Sequence, residues 1–181
     1  ALSFCNSTDD LNKLRKMVPS GSNVIAKIEN RIGFSNCKEI CKSADAVLID
    51  RGDLSKEYNI EDIPIIQKKI TKIAKLEKTK IFVATNFLES MIKNPFPNRA
   101  EINDIYNTLV DGVDGLVLAA ETAIGKYPVE SASVLKRIFT NFKTSLKNKD
   151  SNDESYEIKK FDEIVIDKYA ESDICLLYTS P

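Results

Sequence analysis

Val24-Ile25-Ala26-Lys27-Ile28-Glu29-Asn30 is an apolar run that ends in charge. Short runs rich in Val and Ile read as buried strands. Residues two apart on a strand share a face, so Lys27 and Glu29 point the same way at the strand's carboxyl end. This stretch alone leaves two readings open, a structural ion pair and a site. The pattern returns along the chain. Ala46–Ile49 runs into Asp50-Arg51-Gly52-Asp53-Leu54, Ile81–Thr85 into Asn86, and Gly115–Ala119 into Ala120-Glu121-Thr122.

Helical patterns fill the intervals. Ser7 or Thr8 caps a helix through Val18, with Leu11, Leu14 and Val18 on one face. Ser35 caps a short helix over about Cys37–Lys42. Pro64 suits the first turn of a helix reaching about Glu77, with Ile66, Ile70, Ile73, Ala74 and Leu76 as its buried stripe. Another helix spans about Glu101–Val110. A long one opens at Pro128, with Val129, Ala132, Leu135, Ile138, Phe139 and Phe142 as its apolar side. Ala1–Phe4 reads as one more strand ahead of the first helix. Strand and helix alternate as βα units, and the strands are continuous apolar runs, which implies a covered parallel sheet. Polar groups gather just past the strand ends. That edge carries the ligand in both a (β/α) barrel and a doubly wound sheet, so the order of elements alone does not choose between them.

Composition narrows the function classes. The chain has 181 residues, 43% hydrophobic and 29% charged, enough for one domain with a real core. A net charge of -1 offers no global attraction for nucleic acid or a membrane surface, and no apolar run is long enough to span a bilayer. Cys5, Cys37, Cys41 and Cys175 lack metal-ligand spacing and there is no histidine, so they read as reduced thiols of the core or of a helix face, consistent with a cytoplasmic setting.

The segments ALSF (1–4), IAKIEN (25–30), RGDL (51–54), ATNFLESMIKNPFPNRAE (84–101) and ETAIGKYPVESA (121–132) decide the fold. In this order they resemble the pyruvate kinase family over about Ala1–Phe142, and ATNFLESM followed by NPFPNRAE is highly specific. The resemblance implies an α/β fold of the (β/α)8 TIM-barrel type, of which only about the last five βα units are present. Residues 1–143 then form the carboxyl-terminal part of the catalytic barrel. Residues 144–174 form a charged linker, beginning near Lys147, and the possible start of a following domain with a weak helical pattern over Tyr156–Ala170. Residues 175–181, CLLYTSP, resemble a translated sequencing adapter and are set apart from the fold.

The resemblance also implies a chemistry, transfer of the phosphoryl group of phosphoenolpyruvate to ADP to give pyruvate and ATP. Glu29 and Asp53 match the metal ligands, for Mg2+ or Mn2+, whose coordination commonly takes one or two carboxylates. Lys27 matches the catalytic lysine. Gly52, Asp53 and Thr85 match the cradle for the substrate carboxylate, and Phe4 matches an aromatic beside the substrate. Glu121 is expected to give structural support. The family's K+ and nucleotide groups fall in the part of the barrel ahead of Ala1, so the isolated segment is expected to be unstable and inactive. A homotetrameric parent is expected, pairing near Arg99 and the helix after NPFPNRAE. The sequence departs from the family pattern at Asp50 (usually Ala), at Ser55 (usually Gly) and at Ala119-Ala120 (usually Ser-Gly). An extra carboxylate at Asp50 has the charge to weaken or redirect cation binding. Two other classes stay open: a metal-dependent pyruvate-enolate lyase or aldolase without nucleotide, and a non-catalytic module of the same family.

Overall fold

A computed structural model describes residues 1–149. They fall into two compact units, Ala1–Thr85 and the residues from Asn86 onward.

The first unit contains α1 (Thr8–Met17), β1 (Ile25–Ile28), α2 (Arg31–Ser35), α3 (Cys37–Ser43), β2 (Ala46–Asp50), α4 (Arg51–Leu54), α5 (Ile63–Leu76) and β3 (Lys80–Ala84). The three strands are parallel and adjacent in chain order, with Ala26 opposite Val47 and Val47 opposite Ile81. Ala26, Ile28, Val47, Ile49, Ile81 and Val83 are buried, as strands covered by helices require. The strand expected over Ala1–Phe4 is shorter. Leu2 alone bridges to Ala26, its N–H donating to Ile25 O and its carbonyl accepting from Lys27 N–H. Regular pairing breaks there because Phe4 turns to φ 50° and its N–H goes to the Glu29 carboxylate, and the next bond to β1 runs from Cys5 N–H to Lys27 O at 3.2 Å.

Local signals explain most helix ends. Ser7 caps α1 in a box with Asp10. Ser35 does not cap α3; it is the last residue of α2 and its hydroxyl donates to Arg31 O. Asn36 precedes α3 instead. Gly33 in α2 is needed for close packing, since a Cβ there would lie 2.7 Å from Cys5 O. On α5, Ile63, Ile66, Ile70 and Ala74 are buried, but Leu76 is 70% exposed. At 100° per residue, Leu76 stands well round the helix from Ala74, so its place in the expected stripe was wrong. Cys5, Cys37 and Cys41 are free and buried, with Cys37 and Cys41 Sγ 3.8 Å apart on one face of α3.

Asp45 ties this unit together. Its carboxylate accepts the Val24 N–H at 2.6 Å and pairs with Arg15 at 2.9 Å. Those contacts, the Val24 bond foremost, hold its pKa below the ordinary value. A lowered folded pKa means stability present above the unfolded value, about 3.9, and lost as pH falls through the folded one. Asp45→Asn should therefore cost up to about 1 kcal/mol at pH 7, since the side chain is 40% exposed. The gap to the parent should close as pH drops toward 3 or below. Equal gaps at pH 7 and at acid pH in urea titrations would mean that the carboxylate charge contributes nothing.

The second unit contains a 3-10 turn over Glu89–Ile92, α6 (Arg99–Val110), β4 (Gly115–Val117), α7 (Ala120–Ala123) and α8 (Pro128–Lys149). Asn98 and Glu101 form a capping box, which starts α6 two residues before the expected Glu101. On α8 the buried side is Ser131, Val134, Leu135, Phe139 and Phe142, whereas Val129 and Ala132 are exposed. The helix runs to Lys149, past the expected start of the linker at Lys147. The helix expected over Tyr156–Ala170, Cys175 and the segment Cys175–Pro181 lie outside the described residues. No helix among the described residues is long and apolar enough to cross a membrane.

Candidate functional site

Strand alternation places Lys27 on the same face as Glu29, one residue past β1. The parallel register sets β2 beside β1, so Asp50 at the end of β2 arrives next to them. All three are buried, at 3%, 1% and 5% exposure. Lys27 Nζ lies 2.5 Å from Glu29 Oε1 and 3.3 Å from Asp50 Oδ2. Glu29 Oε2 accepts the Phe4 N–H. Nevertheless Lys27 Nζ and Glu29 Oε1 have no well-oriented hydrogen bond. The opposite charges still compensate each other through that close contact, as buried charges must.

Asp50 also starts the next turn. It is the residue before α4, and its Oδ1 accepts the Asp53 N–H at 3.4 Å and the Thr85 hydroxyl at 3.3 Å. The cap turns Asp53 back toward Glu29. Carboxylate oxygens of Glu29, Asp50 and Asp53 all lie within 4.8 Å of one another. Such a set of hard oxygen donors fits a divalent cation of the magnesium, manganese or calcium type. Asp53 Oδ1 pairs with Lys56 at 2.7 Å.

Electrostatics follow from burial and these neighbours. Burial presses the Lys27 ammonium down, but the combined attraction of Glu29 and Asp50 carries it above the ordinary lysine value. Burial pushes the Glu29 carboxyl up, against the contacts from Lys27 and the Phe4 amide. Lys27 is thus a fixed positive charge and not a base at neutral pH.

The carboxylate cradle expected from Gly52, Asp53 and Thr85 is brought together but partnered internally. Gly52 N–H donates to Thr85 Oγ1 at 2.9 Å, and the Asp53 N–H is taken by Asp50. Thr85 sits beyond β3, not within it, at φ 73°, with Arg51 Nε and Nη2 donating to its carbonyl at 3.0 and 2.6 Å. A non-glycine residue in that region is strained and is held by its surroundings, here by Arg51. Phe4 is 52% exposed, and what it delivers to the cluster is its backbone N–H. In the second unit Glu121 is buried and accepts the N–H groups of Leu88 and Ala119 at 3.3 and 3.0 Å, a supporting role.

Three contributors were not assigned a role from sequence. Asp50 was read only as a disturbance to the cation pair, and the Asp-x-x-Asp spacing of a cap was the signal available. Lys56 had the three-residue spacing from Asp53 as its signal, and Arg51 had none, because its partner Thr85 lies just beyond β3.

Parallel strands whose carboxyl ends gather one buried lysine and three carboxylates define an α/β protein with a candidate cation site at the strand ends. A family profile described as "Pyruvate kinase, barrel domain" matches residues 1–132. The chain belongs to the pyruvate kinase family, through the barrel domain of that family. It is 44% identical over 141 residues to pyruvate kinase from Thermotoga maritima, covering 76% of this chain and 30% of the relative. With pyruvate kinase from Methanocaldococcus jannaschii the figures are 45%, 76% and 32%. Among solved structures, pyruvate kinase from Pyrobaculum aerophilum superposes with a TM-score of 0.76 at 38% identity, covering 77% of this chain and 34% of that one. Cryptosporidium parvum pyruvate kinase in complex with ADP superposes with a TM-score of 0.76 at 34% identity, covering 80% and 31%. The chain therefore spans about a third of the length of the curated relatives it matches. Membership favours the kinase reading over a lyase or aldolase.

Proposed function

We propose that this segment carries the phosphoenolpyruvate side of a pyruvate kinase active site, in a protein that moves the phosphoryl group of phosphoenolpyruvate to ADP. The observation that carries the reading is the buried Lys27 ammonium set among Glu29, Asp50 and Asp53 at the ends of β1 and β2. Glu29 and Asp53 are assigned as ligands of Mg2+ or Mn2+, which when bound neutralises charge on phosphoryl and enolate oxygens. The Gly52 and Asp53 amides and the Thr85 hydroxyl are the donors for the substrate carboxylate, released from their internal partners when it arrives. Phe4, itself exposed, lies at the edge of this region.

The bond between phosphorus and the enol oxygen breaks as a bond from phosphorus to a terminal ADP oxygen forms. The electron pair stays on the enolate, which takes a proton at its methylene carbon to give pyruvate. Lys27, held protonated, stabilises the phosphoryl group in flight and the developing enolate oxygen. ADP and a potassium ion are assigned to groups outside this segment, and the setting is assigned to the cytoplasm. The test is exchange of pyruvate methyl protons with solvent in the presence of Mg2+, beside phosphoryl transfer to ADP. Both are expected in a full-length relative whose matching segment is replaced by residues 1–132. Exchange and condensation with an aldehyde, without transfer to ADP, would instead mark a lyase.

The intact protein is also expected to be a homo-oligomer, a tetramer, with Arg99 near the contact. Within the second unit, Arg99, Ile102 and Tyr106 of α6 line a groove with Ile138 and Phe142 of α8, and Tyr106 stays 39% exposed although it packs edge-on against Phe142. Light scattering of the full-length relative bearing this segment should give a mass of four subunits at micromolar concentration. A monomer would remove the association proposal and leave the chemistry standing.

A further inference from the structure

We propose that Lys56 is a replaceable counter-ion for the cation site, an exposed ammonium that holds Asp53 in the metal-free protein and leaves when a divalent cation enters. The inference rests on the assignment of Glu29 and Asp53 as cation ligands and adds a control on that site.

Two lysines neutralise the three carboxylates, and they differ in what it costs to move them. Lys27 is buried between Glu29 and Asp50, its side chain 4% exposed, and cannot leave without stranding two buried carboxylates. Lys56 reaches Asp53 from outside. Its Nζ is 2.7 Å from Asp53 Oδ1, yet its side chain is 75% exposed while that of Asp53 is only 16% exposed. An ammonium so placed swings into water with its hydration restored. Exposed ion pairs of this kind shift an equilibrium by a factor of about five at most. The pair is set up locally: Lys56 lies three residues after Asp53, and its N–H donates to Asp53 O as α4 ends.

A divalent cation and an ammonium compete for the same Asp53 oxygen. Lys56 therefore lowers the apparent cation affinity by the weight of its own pair with Asp53, and it keeps the acidic cluster from being left with Lys27 as its sole counter-charge before the cation arrives.

Paramagnetic titration with Mn2+ alone, in a full-length relative whose matching segment is replaced by residues 1–132, tests this. At low ionic strength Lys56→Met should bind Mn2+ about three- to five-fold more tightly than the unsubstituted chain. Lys56→Arg, which keeps the charge, should stay near the parent value. The gap should shrink in about 0.5 M salt, where exposed charges are screened within a few ångströms. Circular dichroism should be unchanged, because the Lys56 side chain is exposed. Equal or weaker Mn2+ binding by Lys56→Met, or a gap that ignores salt, overturns the proposal. Glu29→Gln in the same series separates the two levels. If it weakens Mn2+ binding while Lys56→Met has no effect, the site stands and only the counter-ion falls; if Glu29→Gln is also silent, the site reading has failed and the counter-ion with it.

Discussion

Lys27→Met, placed in a full-length relative whose matching segment is replaced by residues 1–132, is expected to lower phosphoryl transfer to ADP by about 10²–10³. The ammonium attracts phosphoryl oxygens in the ground state, but more strongly the charge that develops as the bond to phosphorus breaks. Interactions that grow in the transition state raise turnover more than affinity. Mn2+ affinity should hold or tighten, because removing the lysine leaves Glu29 and Asp50 buried without their cation. Breaking a buried pair from one side costs about 3–5 kcal/mol. The metal-free variant should accordingly melt earlier and recover much of that loss when Mn2+ is added. Exchange of the pyruvate methyl protons should survive better than phosphoryl transfer. The contrary result is near-normal turnover with only a lower melting temperature. It would make Lys27 a structural partner of Glu29 and remove the central residue of the proposed mechanism.

Loss of the cation ligands should have the other signature. Glu29→Gln and Asp53→Asn keep size and shape but remove charge. Each should weaken Mn2+ binding by at least about 10–100-fold, the range already seen when groups behind a ligand are removed. Glu29 should give the larger loss. It is buried and faces Lys27, whereas Asp53→Asn also releases Lys56, a competing cation. Paramagnetic titration reads both, and unchanged affinity in the pair would refute the site.

The amino-acid sequence by itself determined the local parts. Apolar runs ending in charged or polar residues located β1, β2 and β3, because continuous burial selects Val, Ile, Leu and Ala whatever packs above them. Period two placed Lys27 and Glu29 on one face. Ser7 marked the start of α1 with its own side chain, whereas the Asn98 and Glu101 box that starts α6 two residues early went unread. The specific segments carried the family. Helix faces were less legible: Leu76 and Val129 are apolar and near a stripe, and only packing shows that they face water.

Tertiary structure decided the site. Asp50 reads in sequence as one acid too many; the parallel register makes it the contact of Lys27 and Thr85. Phe4 reads as an aromatic ring, and the turn at φ 50° makes its amide the group that matters to Glu29. Thr85 reads as the last residue of a strand, and Arg51 holds its backbone beyond β3 in a left-handed turn. Each of these contacts joins residues about 25 to 35 positions apart, or depends on a single backbone turn. Propensity and periodicity act over a few residues and carry no information at that range. The Leu2 bridge to Ala26 and the pairing of β1 with β2 and of β2 with β3 close those distances and turn separate strand ends into one charged cluster.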